Sequence, residues 1–125
     1  MFPFERLHVW GKAHAVGVAL IRISQTSVVH RGPILTEVVR TACSVCSNIA
    51  EGAGSETSAQ FARYLGIARA SAYELEAQLL LARDGGLIPA DVADPLIAEV
   101  TQVKRILITL QRRVRAKSST PVAGA

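Results

Sequence analysis

The sequence predicts an all-α protein folded as an antiparallel, up-down-up-down four-helix bundle. Four long segments repeat apolar residues at steps of three and four, which is the period of an amphipathic helix. Short connections rich in glycine, proline and polar residues separate them, and no segment alternates apolar and polar residues as a half-buried strand does. A chain of 125 residues can bury one core. We therefore expect a single domain over residues 1–117 and a disordered tail over residues 118–125.

The first helix is predicted over residues 5–26. Its apolar arc is wide, which indicates a helix covered on two sides, by its own bundle and by a neighbouring subunit. Its two histidines, His8 and His14, are six residues apart, whereas metal ligands on one helix face need a step of three or four. The residues at helical spacing that we expect to face the core are Leu7, Trp10, Ala13, Gly17, Leu20 and Ile21.

A loop over residues 27–35, broken most clearly by Gly32-Pro33, leads to a second helix. We expect this helix to begin at the N-cap Thr36 and to end near residue 53, where Gly52 and Gly54 would adopt the left-handed conformation. Polar residues at steps of four, four and three lie on one stripe of it, beside small apolar residues. The stripe consists of Arg40, Ser44, Asn48 and Glu51.

The third helix is predicted from a capping box formed by Thr57 and Gln60, and it continues to about residue 83. The turn before it is short, which predicts antiparallel packing of helices 2 and 3. Its expected core stripe is Phe61, Leu65, Ala68, Ala72, Leu75, Leu79 and Ala82.

Polar side chains on helices 2 and 3 are expected to satisfy one another across the interface. Counting outward from the turn places Glu51 near Arg63 and Arg40 near Glu74, so we predict at least one cross-helix ion pair. A small-molecule site at the same polar patch is the alternative interpretation. The predicted structural network comprises Arg40, Asn48, Glu51, Arg63 and Glu74.

The fourth helix is predicted to begin at Asp94-Pro95, an N-cap followed by proline at the first helical position, or one turn earlier if residues 89–94 form a leading turn. It continues to about residue 115. Ile97 and Ile108 lie within its basic quadrant, and exposed isoleucines there would suggest contact with a partner. The residues expected to face inward are Leu96, Val100, Val103, Ile106, Leu107, Leu110 and Val114.

The positive charge of the chain is concentrated in its last segment. Residues 95–125 contain six Lys or Arg against one Glu, whereas residues 1–94 contain eight against nine acidic residues. Four of the basic residues, Lys104, Arg105, Arg112 and Arg115, fall within one quadrant opposite the core side. A basic face attracts polyanions such as nucleic acid, but a face that only aids solubility has the same charge. Charge alone leaves both interpretations open.

Patterns that would indicate catalysis or metal binding are weak. The CxxC at Cys43 and Cys46 falls in mid-helix on the apolar side, so we interpret both cysteines as small core residues. No glutamate is followed three residues later by histidine, as a di-metal bundle requires, and no glycine loop has phosphate-binding context. We expect no catalytic residue, metal or cofactor. We see no signal peptide or bilayer-spanning stretch, so we expect a cytoplasmic protein without membrane contact.

Several motifs together are similar to a known family. They lie in residues 7–13, 40–52 and 61–79, and the most specific are S-N-I-A-E-G at 47–52 and E-L-E-A-Q-L at 74–79. The chain resembles the small four-helix-bundle proteins encoded within intervening sequences of bacterial 23S ribosomal RNA genes. The resemblance implies an antiparallel bundle and a homo-oligomer, with a ring-shaped pentamer the known arrangement, and most members have no assigned activity. Related accessory proteins of diversity-generating retroelements form basic pentamers that bind nucleic acid and partner with a reverse transcriptase.

The chain departs from the family pattern on helix 2. Val39 precedes Arg40 where members often have a second arginine, Ser55 stands where arginine often follows the turn, and Cys46 stands where proline is frequent. A nucleic-acid surface would therefore rest on helix 4.

We thus expect a non-enzymatic homo-oligomer that binds RNA or DNA through phosphate contacts without base specificity. The alternative is a protein-docking scaffold or accessory subunit, with a reverse transcriptase as a possible partner, that uses Ile97, Ile108 and the broad face of helix 1. The residues expected to contact phosphates are Lys104, Arg105, Arg112, Arg113 and Arg115.

Overall fold

The computed structural model describes residues 3–26 and 32–119, and over these ranges the chain is all-α. A short 3-10 turn, Phe4–Arg6, precedes four helices: α1 (His8–Thr26), α2 (Pro33–Gly54), α3 (Ser58–Asp84) and α4 (Ala90–Ser119). Each helix packs on its neighbours in the chain, and α1 also packs on α4, which closes the four helices into a bundle. The predicted all-α four-helix bundle is confirmed.

Contacts between α2 and α3 follow the short turn that joins them. Gly52 lies against Phe61 close to the turn, and the hydroxyls of Ser44 and Ser71 lie 2.9 Å apart farther along both helices. This order of contacts is the one expected of antiparallel neighbours.

The core consists of small and medium apolar side chains contributed by all four helices. Every residue of the predicted α3 stripe is buried, and Val100, Val103, Leu107 and Val114 of α4 are buried as predicted. Ile21 of α1 was expected in the core but is 38% exposed, because it lies at the edge of the arc that faces α2. A helix with so wide an apolar arc cannot cover all of it within a four-helix bundle.

Helix starts were predicted less well than helix cores. α2 begins at Pro33 with Gly32 as its N-cap, so the predicted start at Thr36 was wrong. Proline favours the first helical position because its φ is already helical and its missing N–H would be unpaired there anyway. α4 begins at Ala90, as the alternative with a leading turn predicted, and Pro95 therefore lies inside the helix.

The cap of α3 was predicted correctly, whereas the conformation of the glycines at the end of α2 was not. Thr57 caps α3 as predicted, since its hydroxyl accepts a hydrogen bond from the Gln60 backbone N–H at 3.1 Å. The left-handed conformation predicted for Gly52 and Gly54 is absent, because among the described glycines positive φ occurs at Gly86 alone (φ 79°). Gly52 instead permits close packing: a Cβ there would lie 2.9 Å from the Phe61 ring.

The first two residues of the predicted tail, 118 and 119, belong to α4. α4 continues to Ser119, four residues beyond the predicted helix end near residue 115. Residues 120–125 of the tail, and residues 27–31 of the predicted loop between α1 and α2, lie outside the described residues. None of the helices in the described ranges has an apolar stretch long enough to cross a bilayer.

Candidate nucleic-acid interface

One end of the bundle collects arginines from two helices. The C-terminal half of α4 and the N-terminal half of α3 meet there, and we call the arginines of these two halves the basic end. Most of them are exposed, while Arg69 is half-buried. Cations in the last turns of α4 also suit the negative end of its helix dipole. The basic end comprises Arg63, Arg69, Arg105, Arg112, Arg113 and Arg115.

Lys104 differs from the other cations predicted on α4. Its ammonium forms an ion pair with Glu76 of α3 and lies 4.3 Å from the centre of the Tyr73 ring. The Lys104 side chain is only 16% exposed, and the Glu76 side chain 22%. A charge already paired and largely covered is not available to a phosphate. Lys104 is thus a poor phosphate contact, and phosphate binding by the four predicted arginines stays a prediction.

Two grooves flank the basic end, one on each side of α4. The first lies between α1 and α4, with a volume of about 410 Å³, and Arg105 and Arg113 stand beside its largely apolar lining. The second lies between α3 and α4, with a volume of about 640 Å³, and is lined by Arg63, Arg69 and Arg115 among others. Arg112 is also exposed on this half of α4. Cations thus occur on several sides of one helix end.

Arg63 and Arg69 belong to this cationic surface, which the sequence analysis did not predict. The sequence pattern predicts Arg63 in an ion pair with Glu51 and gives Arg69 no role. The sequence does contain a signal for them. Arg63 and Arg69 lie in the half of α3 that the short α3–α4 connection places beside the basic half of α4. Counting outward from the α3–α4 connection would have found it.

The predicted polar network does not form as an ion-pair network. Within the described residues, Glu51 has no ion pair with Arg63, and Arg40 has none with Glu74. Arg40 lies 3.8 Å from Glu37 on its own helix, and Glu74 accepts from Gln78. All four predicted partners are exposed, where water competes and an ion pair contributes little free energy.

A smaller, neutral network takes its place between α2 and α3. The hydroxyls of Ser44 and Ser71 share a hydrogen bond of 2.9 Å. Asn48 donates from its amide to the Ser44 backbone oxygen at 2.8 Å and to the Ser44 hydroxyl at 3.2 Å. Asn48 is therefore the one predicted member that joins this network. Hydroxyl pairs suit the site because they satisfy each other at short range without burying charge.

The two cysteines lie beside an apolar groove between α1 and α2, and neither forms a disulfide. Cys43 is exposed, so its assignment to the core was wrong. Cys46 is half-buried, and burial, with a smaller contribution from Cys43, raises the pKa of its thiol to about 11. A thiol with so high a pKa stays protonated near neutral pH and is a poor nucleophile. Over the described chain, no group of His, Cys, Asp and Glu is arranged to hold a metal ion.

The isoleucines predicted as partner contacts are less exposed than expected. Ile97 and Ile108 are both half-buried, and Ile97 packs against the core. Apolar surface is more open in the groove between α1 and α2, which has a volume of about 370 Å³ and includes Trp10, Val18 and Ile21 in its lining. The broad face of α1 therefore remains the better candidate for an apolar contact.

Comparison with known proteins agrees with this architecture. The chain superposes with a TM-score of 0.77 on a protein with unknown function from the S23 ribosomal protein family of Bacteroides thetaiotaomicron VPI-5482. The two are 22% identical, over 83% of this chain and 95% of the other, so the likeness shows the fold alone. A search of curated proteins found no match. The family model described as 23S rRNA-intervening sequence protein matches residues 5–109. The chain belongs to the family of 23S rRNA-intervening sequence proteins.

Proposed function

We propose that this protein is a non-enzymatic, cytoplasmic homo-oligomer that binds RNA or DNA through phosphate contacts made by the basic end. The observation that carries the proposal is the pairing state of the arginines. In the part of the chain that the structure describes, Arg105, Arg112 and Arg113 form no ion pair, and neither do Arg63 and Arg69. Their charges are therefore available to an external anion.

Arginine suits this role because its planar guanidinium donates several hydrogen bonds to phosphate oxygens. Neither groove at the basic end is lined by Phe, Tyr or Trp, the side chains on which unpaired bases stack. Phosphate contacts without base contacts favour binding that is independent of sequence.

Self-association is part of the proposal and has separate support. Half of the residues are hydrophobic and the mean hydropathy is +0.29, which is high for a small protein. The groove between α1 and α2 leaves part of that apolar surface uncovered within one chain. The pentamer implied by the family resemblance is the assembly we expect.

The test is binding of the purified protein to a labelled RNA and a labelled duplex DNA at low and at moderate salt, with oligomer mass measured on the same sample. We expect binding that weakens steeply with salt, with a log–log slope of about −0.9 per duplex phosphate neutralised. The variant Arg112→Gln/Arg113→Gln should bind more weakly, with a slope reduced by about two such contacts.

The matched control is Arg22→Gln/Arg40→Gln, which removes the same charge from exposed positions outside the basic end. If both double variants lose affinity equally, net charge rather than the basic end explains binding. Absence of binding at low salt would contradict the proposed function.

A protein-docking scaffold or accessory subunit is the second candidate, and the apolar groove between α1 and α2 favours it. A reverse transcriptase is the partner to test, because the family resemblance implies it. Apolar docking should be much less sensitive to salt than phosphate binding. We expect Ile21→Asp to abolish such docking, measured by titration with the purified partner, while Arg112→Gln/Arg113→Gln leaves it intact.

A further inference from the structure

The groove between α3 and α4 is a wide depression that is open to solvent and lined by residues of both helices. Its volume is about 640 Å³. We call it the α3–α4 cleft. Residues of both helices line it: Ala59, Ala62, Arg63, Gly66, Ile67, Arg69, Ala70, Gln111 and Arg115.

Small residues of α3 create the depression. Ala62, Gly66 and Ala70 follow one another at steps of four, so they form one row along the helix, and none of them fills the space beside α4. A Cβ added at Gly66 would lie 2.7 Å from the side-chain amide nitrogen of Gln111. A side chain at Gly66 would therefore have to displace the Gln111 amide.

Gln111 fixes the opposite side of the α3–α4 cleft. Its side chain is 3% exposed, and its amide donates a hydrogen bond of 3.0 Å to the backbone oxygen of Ala62. A buried polar side chain that is hydrogen-bonded to the facing helix holds the spacing of the two helices. The shape of the cleft is thus set by packing before any ligand binds.

The charges around this preformed shape are all of one sign. Arg63 and Arg69 are six residues apart on α3, which places them on opposite sides of the small-residue row, and Arg115 approaches from α4. No carboxylate is among the residues that line the cleft. Ala59, in the first turn of α3, also brings the positive end of that helix dipole to the rim.

We infer that the α3–α4 cleft binds a phosphomonoester, the terminal phosphate of a nucleic-acid strand or of a free nucleotide. A terminal phosphate carries close to two negative charges at neutral pH and presents three acceptor oxygens. It can approach the arginines on both sides of the groove with its three free oxygens, whereas a diester within a strand carries one charge and has a sugar on each side. Arginines from both flanks can bind such a group through paired hydrogen bonds.

This inference deepens the proposed function, and rests on it where the phosphate belongs to a nucleic acid. The experiment compares one short single-stranded RNA with a 5′-phosphate and with a 5′-hydroxyl, each labelled at its 3′ end, by fluorescence anisotropy. Adenosine monophosphate and adenosine serve as competitors. We expect the full-length protein to prefer the 5′-phosphate roughly tenfold, the size of one charge-assisted hydrogen bond. Adenosine monophosphate should compete and adenosine should not.

Two variants with equal loss of charge separate the cleft from the rest of the basic end. Arg63→Gln/Arg69→Gln should abolish the preference for the 5′-phosphate. Arg105→Gln/Arg113→Gln should weaken binding of both RNAs and keep their ratio. Circular dichroism checks that each variant is folded. Arg63→Lys/Arg69→Lys keeps the charge but not the paired hydrogen bonds, so it should retain only part of the preference.

The outcomes distinguish the two proposals. Equal, salt-sensitive binding of both RNAs would overturn the phosphomonoester site and leave the proposed function standing. Binding of adenosine monophosphate alone, lost in Arg63→Gln/Arg69→Gln, would support the cleft with a free nucleotide as its ligand and contradict the proposed function. Absence of binding by either RNA and by adenosine monophosphate would overturn both.

Discussion

Helices α3 and α4 pack on each other at two ends that use charge in opposite ways. In the half of the pair where α3 ends and α4 begins, cations are paired: Arg83 donates to Asp94 at 3.0 Å, and Lys104, at the middle of α4, pairs with Glu76. We call this the paired end. At the basic end the helices are joined by the neutral contact from Gln111 to Ala62, and Arg63, Arg69 and Arg112 form no ion pair within the described residues. The same helix pair thus uses charge for folding at one end and leaves it open to a ligand at the other.

The difference teaches that position on a helical wheel does not decide whether a cation can bind a ligand. Lys104 and Arg105 are adjacent in the sequence and both belong to the predicted basic quadrant. Lys104 faces a glutamate of α3, whereas Arg105 is exposed beside the groove next to α1. The residue that the neighbouring helix places opposite each cation decides its role.

The largest effect on stability is expected from breaking the pair between α3 and α4 at Glu76. Glu76→Gln should lower the free energy of unfolding by about 2 kcal/mol, because it leaves the largely covered ammonium of Lys104 without a counter-charge. Urea denaturation at fixed protein concentration measures it. The control is Glu76→Leu/Lys104→Met, which removes both charges and should recover most of the loss. A double variant no more stable than Glu76→Gln would contradict the ion-pair explanation.

A smaller loss is expected from crowding the neutral contact at the basic end. In Gly66→Ala the new Cβ would displace the Gln111 amide and break its hydrogen bond to Ala62, which costs about 2 kcal/mol at this buried position. The higher helix propensity of alanine returns about 0.5–1 kcal/mol, so the net loss of unfolding free energy is about 1 kcal/mol. The matched control is Gly11→Ala in α1, where nothing lies within 4 Å of the added Cβ. That change should stabilise the protein by about 0.5–1 kcal/mol. Thermal unfolding of both variants side by side tests the difference in sign.

The neighbouring cations Lys104 and Arg105 give the most direct comparison in nucleic-acid binding. Arg105→Gln should lower affinity a few-fold and reduce the log–log salt slope by about one, because it removes one phosphate contact. Lys104→Gln should leave the slope unchanged, since its charge is already matched by Glu76. Both are measured by anisotropy with labelled RNA at several salt concentrations. Equal salt slopes for the two variants would contradict the proposed difference between Lys104 and Arg105.

The smallest effect is expected at Arg83. Its hydrogen bonds to Asp94 and Asp84 raise the pKa of a group that is already cationic, so no pH dependence near neutrality follows. Both carboxylates are mostly exposed, and exposed pairs contribute little. Arg83→Gln should therefore change the urea midpoint less than Gly66→Ala does, and added salt should narrow the difference further. A loss as large as that of Glu76→Gln would show that this pair matters more than its exposure suggests.

The sequence predicted the cores of the helices better than their starts. The α3 stripe from Phe61 to Ala82 was correct because apolar residues at steps of three and four leave one face to bury. The start of α2 at Pro33 was missed because a Gly-Pro pair is equally common in a loop before a helix and at the N-cap and first position of a helix. The sequence left two starts open for α4 for the same reason, and the earlier one, with Pro95 inside the helix, is correct.

Some residues of the candidate site could likewise be predicted from the sequence, and others could not. Arg105, Arg112, Arg113 and Arg115 were predicted from the sequence because charge and position in the last helix are local properties. Arg69, Gln111 and the pairing of Lys104 required the other helix, since each depends on what α3 and α4 place opposite each other. The ion pairs predicted between α2 and α3 failed because counting from the turn gives the level of a residue but not its direction around the helix.

By itself the sequence determined an all-α chain with four amphipathic helices, the family to which it belongs, and a basic last helix. These follow from residue type and spacing along one chain, which act within a few turns of helix. Only the tertiary structure decided which cations are neutralised, which small residues open a cleft and which glycine is crowded by a neighbouring helix. Those outcomes depend on side chains far apart in sequence meeting at distances of a few ångströms, and helix rotation sets those distances.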